Sequence, residues 1–193
     1  MTAEEVVNKT SIIFSSVWDE EIETWYKYLV DNKGIRIVVD IGTGWGKSAN
    51  ALGLICPQAM VYTFDPGDYY VDNNQAKDYE DYARIVKDNI RRVGCKNIEF
   101  HVGHSLDEWL PPLPIDALNF DSEWRDKELT VKELRRWLPL VKKDGLIFIH
   151  SYWHYKVDCI PKACEEVLPE LGVELLDEVD CRKQYHVGVF KKL

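Results

Sequence analysis

The run Ile35-Arg-Ile-Val-Val-Asp-Ile-Gly-Thr-Gly-Trp-Gly-Lys-Ser48 constrains this chain most, because an apolar strand ends in a carboxylate and leads directly into three closely spaced glycines. Glycines at 42, 44 and 46 open backbone angles closed to other residues, and they let main-chain N–H groups approach a ligand at the mouth of the next helix. The stretch reads as a nucleotide-cofactor site. Two phosphate loops fit it poorly. Gly46-Lys47-Ser48 imitates the end of the NTPase loop, but Ile41 stands where that loop needs its first glycine. The dinucleotide pattern fails as well, since Lys47 occupies the position of its third glycine.

Charge separates the remaining ligands. Asp40 closes the strand two residues before the first glycine, where it is expected to point into the ligand crevice. A carboxylate there repels a pyrophosphate or triphosphate and attracts the ammonium and sulfonium groups of S-adenosylmethionine. The alternative is that Asp40 caps a turn and the glycines only tighten a strand-to-helix connection.

Apolar runs alternate with amphipathic ones along the rest of the chain. Trp18, Ile22, Trp25 and Leu29 predict an entry helix with Ser16 available as its N-cap. Strands are predicted at Ile35 to Asp40, Met60 to Phe64, Ile98 to Val102, Ile115 to Phe120 and Leu146 to His150. Helices are predicted from Lys47 toward Cys56, over Tyr79 to Val93 before Gly94, and over about Asp158 to Leu171, with a short one at Leu106 to Leu110. Thr130 and Glu133 suggest a capping box for another helix, which Pro139 should kink or shorten. Val173 to Val179 and Gln184 to Phe190 read as a terminal hairpin. Together these imply a doubly wound α/β fold, a mostly parallel sheet with an antiparallel C-terminal hairpin, in which ligands sit at the carboxyl ends of the strands. One domain over 1–193 is expected, with an N-terminal helical segment at 1–34 and the core at 35–193.

A net charge of −9 argues against nucleic acid as the main partner. There is no apolar run of membrane-spanning length and the first residues lack the basic and apolar regions of a signal peptide, so neither a membrane partner nor secretion is expected, and a cytoplasmic location is. Five cysteines without a C-x-x-C pair suggest reduced thiols.

With Val-Asp40-Ile-Gly42-Thr-Gly44-Trp-Gly46-Lys-Ser48, Tyr-Thr-Phe-Asp65-Pro, Val-Gly103-His-Ser105, Ile115-Asp-Ala-Leu-Asn-Phe-Asp121-Ser-Glu123-Trp and Leu138 to His150 in this order, the chain resembles class I S-adenosylmethionine-dependent methyltransferases over nearly its full length. Within them it is similar to the small O-methyltransferases related to catechol O-methyltransferase and to the sugar O-methyltransferases of antibiotic pathways. The resemblance implies a Rossmann-like, seven-stranded sheet and a small-molecule acceptor methylated on a hydroxyl. It assigns Asp40, Gly42, Thr43, Gly44, Gly46 and Ser48 to the methionine half of the cofactor, Asp65 to the ribose hydroxyls, and His104, Ser105 and their neighbours to the adenine side. Asp121 matches a first divalent-metal ligand, but His150-Ser151 stands where the second acidic ligand belongs, so the implied metal set is incomplete. Glu123 or His150 is expected to act as base, with Asp121 orienting the acceptor or retaining a weak metal, while Trp124 replaces an alternative base. Tyr69, Tyr70, Trp124, Tyr152, Trp153, His154 and Tyr155 are expected to border the acceptor. The competing readings are a cofactor binder without catalysis and an NAD- or NTP-binding protein; homodimerisation is left open.

Overall fold

The computed structural model describes residues 1–121, 126–156 and 158–193. Its strands are β1 (Ile37–Ile41), β2 (Met60–Asp65), β3 (Ile98–Val102), β4 (Ile115–Phe120), β5 (Val141–His154), β6 (Val173–Cys181) and β7 (Tyr185–Lys192). Its α-helices are α1 (Ala3–Thr10), α2 (Asp19–Leu29), α3 (Lys47–Ile55), α4 (Asp68–Asp72), α5 (Tyr79–Val93), α6 (Lys127–Trp137) and α7 (Cys159–Val167). The strands form one sheet in the order β3-β2-β1-β4-β5-β7-β6. All pairings from β3 across to β5 are parallel, and β7 runs antiparallel to both β5 and β6.

Both faces of this sheet are buried because its apolar strands alternate between two cores. Val38 and Phe148 pack with Ile22, Trp25, Leu29 and Leu52 on one face. Their neighbours Val39, Ile147 and Ile149 pack with Leu134, Trp137 and Ile160 on the other. That period of two is what a strand covered on both sides requires. The winding direction reverses between β1 and β4, so the carboxyl ends of these two strands open the crevice expected of a doubly wound sheet. Gly94 terminates α5 in the left-handed conformation, at φ 90°.

Several local expectations change. Trp18, not Ser16, is the N-cap of α2 and makes no side-chain cap bond; Asp19, Glu20 and Glu21 supply a first turn suited to the helix dipole instead. The predicted capping box at Thr130 is not formed, because α6 starts earlier on Asp126, whose side chain accepts from the Leu129 N–H. Thr130 lies inside the helix and bonds back to the Asp126 carbonyl. Residues 105–110 form a turn followed by bends and irregular chain, fixed where the Asp107 carboxylate accepts the His104 N–H, in place of a helix. As Pro139 demands, α6 ends at Trp137 and passes into a 3-10 turn over Leu138–Leu140. Helix α7 is likewise shorter than predicted and closes in a 3-10 turn at Leu168–Glu170. Strand β5 runs through both Asp144 and Ser151, which take positive φ values of 62° and 55°, and its pairing with β7 shifts between Ile149 and Trp153. The N-terminal helical segment expected at 1–34 consists of two helices, α1 and α2, and α4 is an additional short helix. Among the described residues no helix is long and apolar enough to cross a membrane.

Candidate functional site

At the β1/β4 switch a cavity of about 660 Å³ is lined by the glycine loop, the end of β2, α4, the turn after β3, Asp121 and the inner face of α6. Residues 14–17, ahead of α2, form a further wall. The glycine loop owes its course to contacts only glycine permits. Gly42 has φ 90°, and a Cβ there would meet the Asp121 carbonyl oxygen at 2.1 Å. At Gly44 the φ is 52°, and a Cβ would lie 2.9 Å from the Tyr70 hydroxyl.

The loop differs from a phosphate nest in what its N–H groups do. Gly42 and Thr43 both donate to the Phe64 carbonyl, Gly46 donates to the Thr43 carbonyl, and Gly44 donates to the Asp65 carboxylate at 2.9 Å. These four donors are committed to protein, whereas a pyrophosphate loop aims its donors at the ligand.

Of the residues expected to hold a cofactor, Gly42, Thr43, Gly44, Ser48, Asp65, His104, Ser105 and Asp121 line the cavity. Gly46 does not line it and serves as the left-handed N-cap of α3. Asp40 also stays out of the lining. The strand's period of two puts it on the face of Val38, where it is fully buried and accepts hydrogen bonds from Ser48 Oγ (2.9 Å), Thr63 Oγ1 (2.8 Å) and Asn119 Nδ2 (2.8 Å). Burial pushes its carboxyl up to about 6 against those three donors. Asp40 therefore reaches the cavity through Ser48 and does not face it directly.

Asp65 closes β2 and accepts the Gly67 N–H at 2.7 Å in addition to that of Gly44. Burial raises its pKa, and these two N–H groups oppose the rise. The Tyr82 hydroxyl also bonds to this carboxylate, whose roughly four lone-pair sites leave room to accept from a diol. The Ser105 hydroxyl donates to the Glu133 carboxylate from α6, and Trp137 Nε1 donates to the Ser105 carbonyl at 3.0 Å. His104 Nε2 lies 3.5 Å from Asp68 on α4. Glu133 was read as half of a cap; its position one turn before Trp137, on the inner face of α6, was the available signal.

Asp121 stands at the end of β4 with a side chain about a quarter exposed, and His150 Nε2 lies 3.9 Å from its Oδ1. Burial pushes the Asp121 carboxyl up to about 7; the His150 charge opposes this, while Glu21, Asp40 and Asp65 add to it. Burial alone lowers His150, but the Asp121 and Glu21 carboxylates reverse that and hold it at about 9. His150 is nearly buried and does not line the cavity. Its partner Glu21, from α2, was not singled out in the sequence. Glu123 and Trp124 lie outside the described residues.

The predicted aromatic wall is only partly formed. Tyr69 and Tyr70 line the cavity, with Tyr70 stacked on Tyr82 at 5.2 Å. Because β5 continues as a strand, Tyr152 packs on Phe190, Trp153 pairs with His186 and His154 stacks on Tyr155, all outside the cavity lining. Among the described residues no three or more His, Cys, Asp or Glu side chains converge as a metal site. Beside Asp121 stands the His150 imidazole, 3.9 Å away and engaged with Glu21 on its other edge, a nitrogen group in a place where a hard cation favours oxygen ligands.

A family described as "Methyltransferase domain" matches residues 39–152. No curated protein sequence matches the chain. Among solved structures, an O-methyltransferase from Bacillus cereus in complex with SAH is 18% identical, with a TM-score of 0.69 over 98% of this chain and 89% of that one. The O-methyltransferase TomG from Streptomyces achromogenes, involved in tomaymycin synthesis and in complex with SAM, is 15% identical, with a TM-score of 0.69 over 99% and 87% of the two chains. An rRNA methylase from Streptococcus thermophilus is 17% identical, with a TM-score of 0.64 over 94% and 99%.

Proposed function

The chain belongs to the methyltransferase-domain family, and from that premise we propose that it transfers a methyl group from S-adenosylmethionine to a hydroxyl of a small molecule. The observation that carries this reading is the charge of the cavity. Its lining includes Asp65, Asp68, Asp72, Asp121 and Glu133, and among the described residues neither lysine nor arginine. Such a wall attracts a sulfonium and an ammonium, and it repels pyrophosphates and a nucleic-acid backbone. The committed N–H groups of the glycine loop point the same way.

When bound, S-adenosylmethionine supplies an electrophilic methyl carbon on a positively charged sulfur. Asp65 would hold the ribose diol, and Ser105 with Glu133 would border the adenine. Ser48 and Thr43 would face the methionine portion, with Asp40 behind them. Asp121 is the acceptor-facing carboxylate: near neutral pH it is poised to take the proton of a hydroxyl as that oxygen attacks. His150 carries a proton of its own at that pH, so it stabilises the Asp121 charge in place of serving as the first base.

Calorimetry with S-adenosylmethionine and S-adenosylhomocysteine tests the binding half, and no heat from either at high micromolar concentration would sink the reading. Transfer of labelled methyl to a panel of catechols and sugars, compared with ribosomal RNA, tests the acceptor. Methylation of the RNA alone would overturn the small-molecule reading.

A further inference from the structure

Glu21 is an unusual residue to find in a helix face that packs on a core. It lies in the first turn of α2 beside Ile22, its residue is 1% exposed, and both carboxylate oxygens are engaged. Oε2 accepts from the Tyr185 hydroxyl at 3.0 Å, and Oε1 lies 3.2 Å from His150 Nδ1. The opposite edge of the same ring faces Asp121. A buried carboxylate is costly unless paired, and an apolar side chain would pack this face of α2 more cheaply.

We propose that Glu21 is the positioning residue of the acceptor-activating end of the cavity: it holds the His150 ring through Nδ1 so that Nε2 faces the Asp121 carboxylate. The inference rests on the methyltransferase reading for its purpose but on geometry for its substance. An imidazole has two chemically distinct edges, and the hydrogen bond made by one fixes what the other presents. With Nδ1–H donating to Glu21, Nε2 is the edge left to face Asp121. Tyr185, on β7, anchors the far side of Glu21, and its ring lies 4.2 Å from that of His150. Helix α2 thereby becomes part of the site, although none of its own residues lines the cavity.

Long-range 1H–15N spectra of the full chain test this, with the His150 ring among the five histidines identified by its loss in His150→Gln. In the native protein Nδ1 is expected to carry a proton that is hydrogen-bonded and slow to exchange. Glu21→Gln keeps the shape and removes the charge; Glu21→Met removes the acceptor. In each the Nδ1 proton is expected to shift and exchange faster, whereas Glu21→Asp restores part of the native signal. With catechol as probe, the maximal rate of methyl transfer is expected to fall about ten-fold in Glu21→Gln, while the KM for S-adenosylmethionine stays within about two-fold. An unchanged His150 ring signal in folded Glu21→Gln overturns the proposal, and so does an unchanged maximal rate. Absence of cofactor binding in the native protein counts instead against the methyltransferase reading, and the ring spectra then decide Glu21 alone.

Discussion

Replacing Asp40 by asparagine is expected to shift stability in the variant's favour as pH rises and to weaken the cofactor site. The Asp40 carboxyl rises from an ordinary 3.8 to about 6 on folding, chiefly through burial. A carboxyl raised in this way contributes stability that is fully present below 3.8 and is lost as pH rises through about 6. The whole interval corresponds to about 3 kcal/mol, of which about 2 kcal/mol is lost between pH 4.5 and 8. Asparagine does not titrate, so whatever its own hydrogen bonds to Ser48, Thr63 and Asn119 are worth, that contribution is the same at both pH values. The stability difference between Asp40→Asn and the native chain should therefore move by about 2 kcal/mol in favour of the variant from pH 4.5 to pH 8. Urea unfolding followed by far-UV circular dichroism at several pH values measures it. A difference that stays constant with pH would refute the claim that folding buries an ionised Asp40. Cofactor affinity in the same variant should fall at pH 8, because the charge behind Ser48 is gone. A relative gain in stability with rising pH coupled to a loss of binding is the pattern of a charge retained for function.

Gly42→Ala forces a Cβ to 2.1 Å from the Asp121 carbonyl at a φ of 90°. A loss of about 3 kcal/mol, with S-adenosylhomocysteine binding abolished, is expected in thermal unfolding and calorimetry; native affinity would show that the loop has room to spare. Asp116, at the other end of the sheet, accepts the Arg36 and Ile37 N–H groups at 2.7 and 2.8 Å and pairs with Lys142 at 2.5 Å. Asp116→Ala should cost about 2–4 kcal/mol in urea unfolding without changing cofactor affinity. Burial opposes ionisation of Asp116, but Lys142 and the two N–H groups hold it below 3.8, so its stabilisation is present above that value and lost as pH falls through the lower folded value, the reverse of Asp40. Treatment with a chelator should leave methyl transfer intact, and a loss that magnesium restores would show that residues beyond the described set complete a metal site around Asp121.

The parts of this fold that were legible are those where local chemistry and burial agree. Strands β3 and β4 were bounded correctly because turn residues flank them; β4 is buried throughout, and in β3 the alternation of Ile98 and Phe100 sufficed although Val102 is exposed. Helix α1 carried a readable signal too, since Thr2 and Glu5 form a reciprocal capping box, yet only two of its residues are buried and its apolar stripe is short. Helix α4, five residues after Gly67, is below the length at which periodicity can be read.

The candidate site divides along a different line. Backbone-defined positions such as Gly42, Gly44 and Asp65 follow from the strand-to-loop order, because the sheet itself brings strand ends together. What a charged side chain does after it arrives depends on neighbours far along the chain. Asp40 is turned from a ligand contact into a buried support by Thr63 and Asn119, from strands on either side of β1. Glu21 sits in an Asp-Glu-Glu run that reads as a solvated first turn, and only Tyr185 and His150, more than 120 positions away, explain its burial. These same long-range pairs set how readily Asp121 ionises, since the charge on His150 opposes the effect of its burial and of its acidic neighbours. On the proposed reading the acceptor end depends on contacts between α2 and β7, and a perturbation of either is expected to reach Asp121 without touching the cofactor loop.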